Sequence, residues 1–275
     1  MKLRVLTYNI HHWEGIDGRI DVSRTAEVIR AAEADVIALN EVYHPAPVPG
    51  LDRPALDAMA EMLRMEAVFG QATTASWGDE RAPTGYGNAC LSRWPIQAYA
   101  AHRLVPVPGR EQRGLLEVHI ALPTGTLLTA YITHLDQTRE DARWRQLQSL
   151  LQWTWRDRER PHLLMGDFNT LSSADYPEPE MWKAAVATAA AEGYKLEKPR
   201  VIPRLLQMGY VDCFSQAGEG EGLSCPTTEP RVRIDYIFAS PSLAPALRWC
   251  RRWDAPPADV ASDHYPVLAL FELPG

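Results

Sequence analysis

The chain has 275 residues, of which 46% are hydrophobic and 23% are charged, with 22 prolines and 17 glycines. This composition is typical of a soluble globular protein and excludes an intrinsically disordered chain, a collagen-like repeat and a long coiled coil. The charge balance of 28 Lys and Arg against 35 Asp and Glu gives a formal charge of −7. It disfavours tight, sequence-independent binding to duplex nucleic acid, although a local basic cleft is compatible with it.

One large α/β core can account for the whole length, so we expect a single domain over residues 1–275. The cysteines lie far apart and form no C-x-x-C pair, which favours reduced structural thiols. They are Cys90, Cys213, Cys225 and Cys250. The N-terminus enters an apolar strand pattern without a signal-peptide pattern, and no apolar run approaches the length of a membrane span. We therefore expect a cytoplasmic protein.

The N-terminal part of the chain has a β-α-β pattern. Apolar periodicity predicts a strand at 3–10, an amphipathic helix at 22–32 and a second strand at 35–41. A proline-rich loop at 45–54 precedes a Met-rich helical stretch at 55–65. The second crossover is therefore expected to be helical as well.

The middle of the chain changes character. Successive strand-like segments joined by Pro/Gly turns are predicted at 87–93, 96–104, 114–122 and 126–134. Antiparallel hairpins should dominate this part of the fold.

The rest of the chain mixes helices and strands. A long helix is predicted at 139–156, where Trp144, Leu147, Leu151 and Trp155 recur at helical spacing and are interpreted as core and surface packing residues. The other predictions are helices at 182–191 and 201–208, a loop at 216–230, and strands at 162–165, 233–239, 246–253 and 266–273. Two packed sheets with helices outside is the simplest architecture for this order.

Polar residues that could do chemistry stand at the ends of these strand patterns. They are Asn9, Glu41, His134, Asp167 with Asn169, and Asp263 with His264. In open α/β sheets, catalytic and ligand groups gather at strand ends, where loops present them on a rigid support. Each also has an ordinary explanation: a turn hydrogen bond for Asn9, a surface carboxylate for Glu41, and a backbone partner for His134.

Two further segments carry more information. In Gly166-Asp167-Phe168-Asn169, the glycine permits a close turn, and i, i+2 spacing on an extended segment would place Asp167 and Asn169 on the same side; an Asx turn is the alternative. In the alternating strand at 233–239, Asp235 would cost little free energy of folding if it lay on an exposed face. On a buried face it needs a partner, and a histidine is a natural candidate.

Seven motifs in this order resemble the endonuclease/exonuclease/phosphatase family. They are Tyr8-Asn9-Ile10, Leu39-Asn40-Glu41, Gly87-Asn88-Ala89-Cys90-Leu91-Ser92-Arg93, Thr133-His134-Leu135, Gly166-Asp167-Phe168-Asn169, Arg233-Ile234-Asp235-Tyr236 and Ser262-Asp263-His264. The resemblance covers residue 3 to about residue 270. It implies a DNase I-like α/β fold, a four-layer sandwich of two mixed β-sheets flanked by helices. It also implies a divalent-metal site at one edge of the sandwich and the hydrolysis of a phosphoester.

One departure from the family pattern is visible. The second motif usually reads Leu-Gln-Glu, and Asn40 stands here in place of the glutamine. The carboxamide is kept but is shorter by one methylene, so we expect altered geometry around the metal ligand and no loss of metal. The stretch 171–200 resembles a family-variable insertion that could shape the pocket.

The resemblance also implies roles. Asn9, Glu41 and Asp263 would hold or support Mg²⁺ (or Mn²⁺), because hard oxygen ligands suit these ions; the lack of a thiolate or multi-histidine cluster argues against zinc. The implied catalytic residues are His134, Asp167, Asn169, Asp235 and His264. Either His264 or Asp167 would take the proton of the attacking water. Asn88 and Arg113 resemble substrate-phosphate contacts, although a loop partner and a surface arginine are the alternatives, and His11 could line the rim.

These observations predict a metal-dependent phosphoester hydrolase that acts on a small or lipid-derived phosphoester. A nuclease is the first alternative, which the net charge does not favour. The arginines between 139 and 160 are interleaved with acids and are interpreted as a solvated mixed-charge helix rather than a nucleic-acid face. The second alternative is a noncatalytic scaffold that keeps the fold. The oligomeric state is not predicted.

Overall fold

A computed structural model of the protein describes residues 1–76, 83–176, 178–191 and 198–274. The strands are β1 (Lys2–Asn9), β2 (Val36–His44), β3 (Glu66–Ser76), β4 (Pro83–Ser92), β5 (Ile96–Arg103), β6 (Gly114–Ala121), β7 (Leu127–His134), β8 (His162–Asp167), β9 (Val211–Asp212), β10 (Asp235–Ala239), β11 (Leu247–Arg252) and β12 (Val267–Glu272). The helices are α1 (Val22–Ala32), α2 (Ala55–Leu63), α3 (Glu140–Thr154), α4 (Pro179–Ala191), α5 (Val201–Gln207), α6 (Cys213–Ala217) and α7 (Ala258–Ala261).

The described strands form two six-stranded sheets. Their orders are β11-β12-β1-β2-β4-β3 and β5-β6-β7-β8-β10-β9. The pairs β1/β2 and β7/β8 are parallel, and the other neighbours are antiparallel. Both sheets are therefore mixed, and each carries one parallel pair near its centre.

The alternation of side chains along the strands builds three cores. On β1, Leu3 and Val5 face the second sheet, where they join Met165 of β8 in the core between the sheets. Leu6 and Tyr8 point the other way, into the core under α1 and α2. A third core lies between the second sheet and helices α3 and α5. This arrangement of helices, sheet, sheet and helices confirms the predicted four-layer α/β sandwich.

Most of the predicted helices and strands are present in the structure. The elements that the sequence did not predict are mostly short. The helix at 22–32 is found with the predicted bounds, and the Asp21 side chain caps it by accepting from the Arg24 N–H at 2.9 Å. The strand β3 was not predicted, because an edge strand that is only half-buried shows weak alternation. The elements β9, α6 and α7 have two, five and four residues, too few for a periodic signal. In addition, α2 leads to β3, which pairs antiparallel with β4 and not with β2, so α2 does not form a parallel crossover.

Three other sequence-based expectations can be compared with the structure. All four cysteines are free, in line with reduced thiols. A helix with the length and apolar character needed to cross a membrane does not occur in the described part of the chain. Within the predicted insertion at 171–200, residues 177 and 192–197 lie outside the described residues, and the structure describes the rest.

Candidate active site

Polar side chains from both sheets meet at the edge where the two parallel pairs end. On the first sheet, β1 ends at Asn9, the register partner of Asn40. On the second sheet, β7 ends at His134, the register partner of Asp167. The Asn9 nitrogen Nδ2 lies 3.1 Å from Glu41 Oε1 and 3.1 Å from Asp167 Oδ2. One amide therefore joins a carboxylate of each sheet, and Asn9 faces them with a donor and not with a metal-binding oxygen.

Glu41 reaches this edge because β2 contains a β-bulge. The pairing of β2 with β4 shifts between Leu39 and Val42, and Glu41 has a left-handed φ of 60°. A bulge interrupts the regular alternation of side chains and re-aims one of them. The Glu41 side chain remains 19% exposed, so a cation from solvent can reach its carboxylate.

Asn40 is fully buried and ties the two sheets together. Its Nδ2 donates to Asn88 Oδ1 at 2.8 Å and to the Thr133 carbonyl at 3.0 Å. Its Oδ1 accepts from the Asp167 backbone N–H at 2.8 Å. The residue that departs from the family pattern therefore positions the strand end that carries Asp167.

The structure corrects the predicted phosphate contact of Asn88. This side chain is buried, and its Nδ2 donates to the carbonyls of Gly114 at 3.2 Å and Ile132 at 3.3 Å. An amide has two N–H donors, and both are engaged with backbone groups. Asn88 has no donor left for a phosphate and instead fixes β4 to β6 and β7.

The Gly-Asp-Phe-Asn segment ends β8 in a tight turn. Gly166 has a φ of 137°, and a Cβ there would overlap the Thr133 carbonyl oxygen. Asn169 has a φ of 50°, and its N–H donates to Asp167 Oδ1 at 2.8 Å. This is the Asx turn that the sequence left open, and it replaces the extended segment that would have placed both side chains on one side. Asn169 Nδ2 donates to the Leu135 carbonyl at 3.2 Å.

Asp235 is buried on β10, and its partner is a histidine. Asp235 Oδ2 accepts from His264 Nδ1 at 2.8 Å and from Ser224 Oγ at 2.6 Å. The carboxylate fixes the ring so that His264 Nε2 lies 3.9 Å from Asp167 Oδ2. Asp235 Oδ1 is buried without a hydrogen bond to any described residue. The sequence carried a weak signal for Asp235 and none for Ser224, whose segment reads as a polar loop.

Burial favours the uncharged form of both Asp167 and His264, but the Asp235 carboxylate acts on their pKa values so that only His264 is held in its charged form. Burial and the Asp235 charge together raise the pKa of Asp167 to about 7, against the opposing effect of His264. Burial lowers the pKa of His264, but the Asp235 carboxylate outweighs burial, and the pKa lies well above its ordinary value. At neutral pH His264 therefore carries its proton, and Asp167 is poised between its two forms.

His134 stands on the other side of Asp167. Its Nε2 lies 3.5 Å from Asp167 Oδ2, and its Nδ1 accepts from Arg113 Nη1 at 3.0 Å. Burial lowers the pKa of His134 well below its ordinary value, and Arg113 and His264 lower it further. The ring is therefore neutral with its proton on Nε2. Arg113 is buried, pairs with Glu111 at 2.8 Å, and stands behind His134.

Asp263 lies on the loop that brings His264 to the site. Its neighbour Ser262 donates through Oγ to the Asn9 carbonyl at 2.8 Å and accepts from the His264 N–H at 3.1 Å. Asp263 is half-buried, and its carbonyl accepts from the Thr227 N–H at 2.9 Å. The loop is thereby tied to β1, and the Asp263 side chain lines the cavity described below.

The structure adds His12, which the sequence analysis missed. His12 Nδ1 lies 3.3 Å from Glu41 Oε2, and ligand atoms of His11, His12 and Glu41 all lie within 4.8 Å of one another. The sequence-based expectation that the site has no multi-histidine cluster is therefore wrong. The consecutive histidines immediately after the Asn9 motif were the signal that could have found it.

A cavity of about 1270 Å³ opens beside the cluster, with Asn169 and Asp263 on its wall. Helix α4 forms one side, and among the described residues of that helix only Ala189 is buried. The segment around α6 and the residues just before β10 form the other side. The larger apolar side chains that line the cavity are Leu171, Met181, Phe214, Leu223, Val232 and Ile234. The helix therefore covers a cavity instead of packing onto a core.

Comparisons with known proteins agree with this geometry. A family model described as "Endonuclease/Exonuclease/phosphatase family" matches residues 6–264. The uncharacterized protein YbhP of Escherichia coli (strain K12) is 28% identical over 98% of this chain and 96% of its own. The structure of an endonuclease/exonuclease/phosphatase from Beutenbergia cavernae is 27% identical and superposes with a TM-score of 0.74 over 100% of this chain and 72% of its own. The mannosyl-6-phosphatase Bt3783 of Bacteroides thetaiotaomicron, 18% identical, has a TM-score of 0.66 over 98% of this chain and 100% of its own, and shows a likeness of fold.

Proposed function

Because the chain belongs to the endonuclease/exonuclease/phosphatase family, we propose that it is a divalent-metal-dependent phosphoester hydrolase. The observation that carries the proposal is the link from Glu41 through Asn9 to Asp167, at 3.1 Å on each side, with His264 Nε2 3.9 Å beyond. These residues come from distant segments, and both sheets contribute to the cluster. Packing alone gives no reason to bury acids and imidazoles together.

The residues present fit a divalent cation. Asp167 and Asp235 are both buried, and the pKa of Asp167 is raised to about 7 by burial and by the Asp235 charge, an electrostatic conflict that a cation nearby would relieve. Glu41 offers a carboxylate that solvent can reach, and Asp263 is the proposed second oxygen ligand, while Asn9 orients the carboxylates. When bound, Mg²⁺ or Mn²⁺ would neutralise charge on the phosphate oxygens and polarise the attacking water.

The protonated state of His264 and the raised pKa of Asp167 suggest how protons move during hydrolysis. His264 is held in its protonated form by Asp235, so we assign it as the donor toward the phosphate or the leaving oxygen. Asp167, with its pKa raised to about 7 by burial, is the proposed acceptor of the proton from the attacking water. The raised pKa of Asp167 supports Asp167 over His264 as the group that takes the proton of the attacking water.

The remaining residues would position the phosphate. His134 carries its proton on Nε2, because Nδ1 accepts from Arg113 at 3.0 Å, so Nε2–H can donate to a nonbridging phosphate oxygen. We assign Arg113 to positioning His134 and not to the phosphate itself. Asn169 lies at the border between the cluster and the cavity and is proposed to orient the water or the phosphate.

The cavity favours a substrate with an uncharged apolar part. Two of the three arginines that line it are buried and paired: Arg143 with Glu140 at 2.8 Å, and Arg233 with Asp175 and Asp212 at 2.6 Å each. Guanidinium groups already neutralised in this way have little attraction left for a chain of phosphates. Its volume also exceeds that of a typical small-ligand pocket, about 300–1,000 Å³. We therefore favour a lipid-derived phosphoester as the substrate. A small phosphoester without an apolar chain is the second choice.

A nuclease would use the same chemistry on a different surface. Five of the six arginines at 139–160 are paired with acids, for example Arg139 with Asp141 at 2.6 Å and Arg156 with Glu117 at 2.7 Å. They therefore do not form the free basic face that duplex binding needs. The prediction of a solvated mixed-charge helix fails at Arg143 and Glu140, which form a buried pair, and at Asp157, which is also buried.

A substrate panel tests the proposal directly. Single- and double-stranded DNA, RNA, inositol phosphates, nucleotides, sphingomyelin, long-chain lysophospholipids and an aryl phosphodiester are each incubated with Mg²⁺, Mn²⁺ or a chelator. We expect metal-dependent, chelator-sensitive hydrolysis, highest on a substrate with an apolar chain. Hydrolysis of DNA alone would select the nuclease. No hydrolysis on any member, with metal bound and the protein folded, would favour the noncatalytic scaffold.

A further inference from the structure

We propose that His12 is a nitrogen ligand of the divalent cation that Glu41 binds, and that the site consequently prefers Mn²⁺ to Mg²⁺. The inference rests on the proposed function for the presence of a cation at Glu41. Its test, however, measures metal binding and does not depend on hydrolysis.

The distance between the two side chains is that of two ligands of one ion. His12 Nδ1 lies 3.3 Å from Glu41 Oε2, yet Nδ1 is buried without a hydrogen bond to any residue that the structure describes. Two neighbouring ligand atoms that are each about 2.1 Å from one ion lie about 3 Å apart in an octahedral arrangement. A nitrogen lone pair that is close to a carboxylate and makes no hydrogen bond is a suitable donor for a cation placed between them.

The backbone is strained where it presents this imidazole. The φ angles of His11, His12 and Trp13 are 42°, 49° and 64°, and the left-handed region is unfavourable for L-residues because Cβ approaches the following carbonyl oxygen. The turn is held by the fully buried Trp13 and by the Asn9 side chain, whose Oδ1 accepts from the His11 N–H at 3.1 Å. Such strain persists only where the surroundings enforce it, and it clusters at functional sites.

The two histidines of this turn have different surroundings. His11 Nδ1 pairs with the Glu14 carbonyl at 3.2 Å, so one ring nitrogen is already used by the protein. His12 has its ring fixed between His11, with centroids 4.4 Å apart, and Tyr43, at 5.6 Å edge to face. We therefore assign the ligand role to His12, and the role of a stacking support to His11.

The mixed donor set determines the preferred ion. Mg²⁺ binds almost only oxygen and keeps several waters, whereas imidazole is a ligand that first-row transition ions accept. The other proposed ligands, Glu41 and Asp263, are carboxylates, which suit Mn²⁺ better than the softer ions. Mn²⁺ is therefore the ion that matches one imidazole nitrogen together with carboxylate and water oxygens.

The experiment combines spectroscopy and calorimetry on the full-length protein. Electron spin echo modulation of bound Mn²⁺ detects a directly coordinated ¹⁴N, and calorimetry gives the dissociation constants of Mn²⁺ and Mg²⁺. The variants are His12→Ala, His12→Gln and the matched neighbour His11→Ala, with Glu41→Gln as the variant that should lose the ion. Thermal melting in chelator confirms that each variant is folded.

We expect ¹⁴N modulation in the wild type and in His11→Ala, and its loss in both His12 variants. Mn²⁺ affinity should fall by about 10–100-fold in the His12 variants while Mg²⁺ affinity changes by less than about threefold. Modulation that is absent from the wild type, that persists without His12, or that is lost only in His11→Ala would overturn the proposal, as would a failure of Mn²⁺ to bind. If Mn²⁺ binds through His12 but no substrate is hydrolysed, the proposed function fails and this inference stands.

Discussion

Asp167 and Asp235 are register partners on the antiparallel strands β8 and β10, and His264 presents one ring nitrogen to each of them. Nδ1 is 2.8 Å from Asp235 Oδ2, and Nε2 is 3.9 Å from Asp167 Oδ2. Two buried carboxylates this close resist joint ionisation unless positive charge is near. The imidazolium supplies one such charge, and a cation on the Glu41 side would supply more.

Removing either of the two side chains proposed to transfer protons should greatly slow turnover without unfolding the protein. For His264→Ala and Asp167→Ala we expect the rate on an aryl phosphodiester to fall by about 10²–10⁴-fold, the loss typical of a deleted general acid or base. Initial rates at saturating metal, with circular dichroism of each variant, are the measurement. His119→Gln is the matched control, because His119 pairs with Glu117 on β6. Near-normal turnover in both site variants would refute the assigned roles.

Asp235→Asn should change the pH profile as well as the rate. The Asp235 carboxylate holds the pKa of His264 well above its ordinary value against the effect of burial. Without that charge the pKa of His264 falls, so the protonated donor is lost at lower pH and the alkaline limb of kcat moves to lower pH. The measurement is kcat from pH 5 to pH 9. Ser224→Ala, which removes the 2.6 Å hydrogen bond to Asp235 and the 3.4 Å bond from the Ile234 N–H but keeps the Asp235 carboxylate, should lower the rate without moving the alkaline limb. An unmoved limb in Asp235→Asn would contradict the donor role of His264.

The sequence predicted the layered fold and named most of the polar residues that meet at the edge of the sheets, but not how backbone geometry places them. Apolar periodicity identifies α1 and the central strands because their core-facing side chains are apolar and recur at the period of a helix or a strand. Glu41 and His12 depend instead on a β-bulge and on a run of left-handed residues, which no hydrophobic pattern reveals. For Asn88 the sequence left a phosphate contact and a loop partner open, because a motif names a residue and does not state which atoms its amide will bond; the structure gives backbone partners.

Metal binding should release a proton from Asp167. Burial raises the pKa of this carboxyl to about 7, so at pH 6 most of the metal-free protein carries the proton. A cation favours the anionic form and expels it. We expect release of about one proton per ion at pH 6, falling toward zero above pH 8. Calorimetry in buffers of different ionisation enthalpy measures this number. Unchanged release in Asp167→Asn would show that another group is responsible.

Asn40 should be important for stability as well as for activity. Its carboxamide bonds Asn88, the Thr133 carbonyl and the Asp167 N–H at 2.8–3.0 Å in a fully buried position. Asn40→Ala leaves these groups without partners, and we expect the free energy of unfolding to fall by about 2–4 kcal/mol. Asn40→Gln restores the usual family residue but adds a methylene to a packed site, at about 1–3 kcal/mol. Urea unfolding measures both, with the exposed Thr126→Ala as control. A stabilising Asn40→Gln would show that the surroundings can relax to fit the longer side chain.

Filling the cavity should discriminate between substrates by their apolar part. Ala185 lines the cavity, whereas Ala187 on the same helix is exposed and does not. In Ala185→Trp the indole occupies space that an apolar chain would otherwise enter, so kcat/KM for a long-chain phosphodiester should fall by about tenfold or more, which corresponds to about 1.4 kcal/mol of lost binding. The methyl ester of the same headgroup should be unaffected, since it reaches only the metal, Asp167 and His264. Ala187→Trp adds the same bulk outside the cavity and should change neither substrate. Equal losses on both esters in Ala185→Trp would mean that α4 acts on the catalytic groups and not on the chain. No loss on either ester would mean that the substrate lies elsewhere.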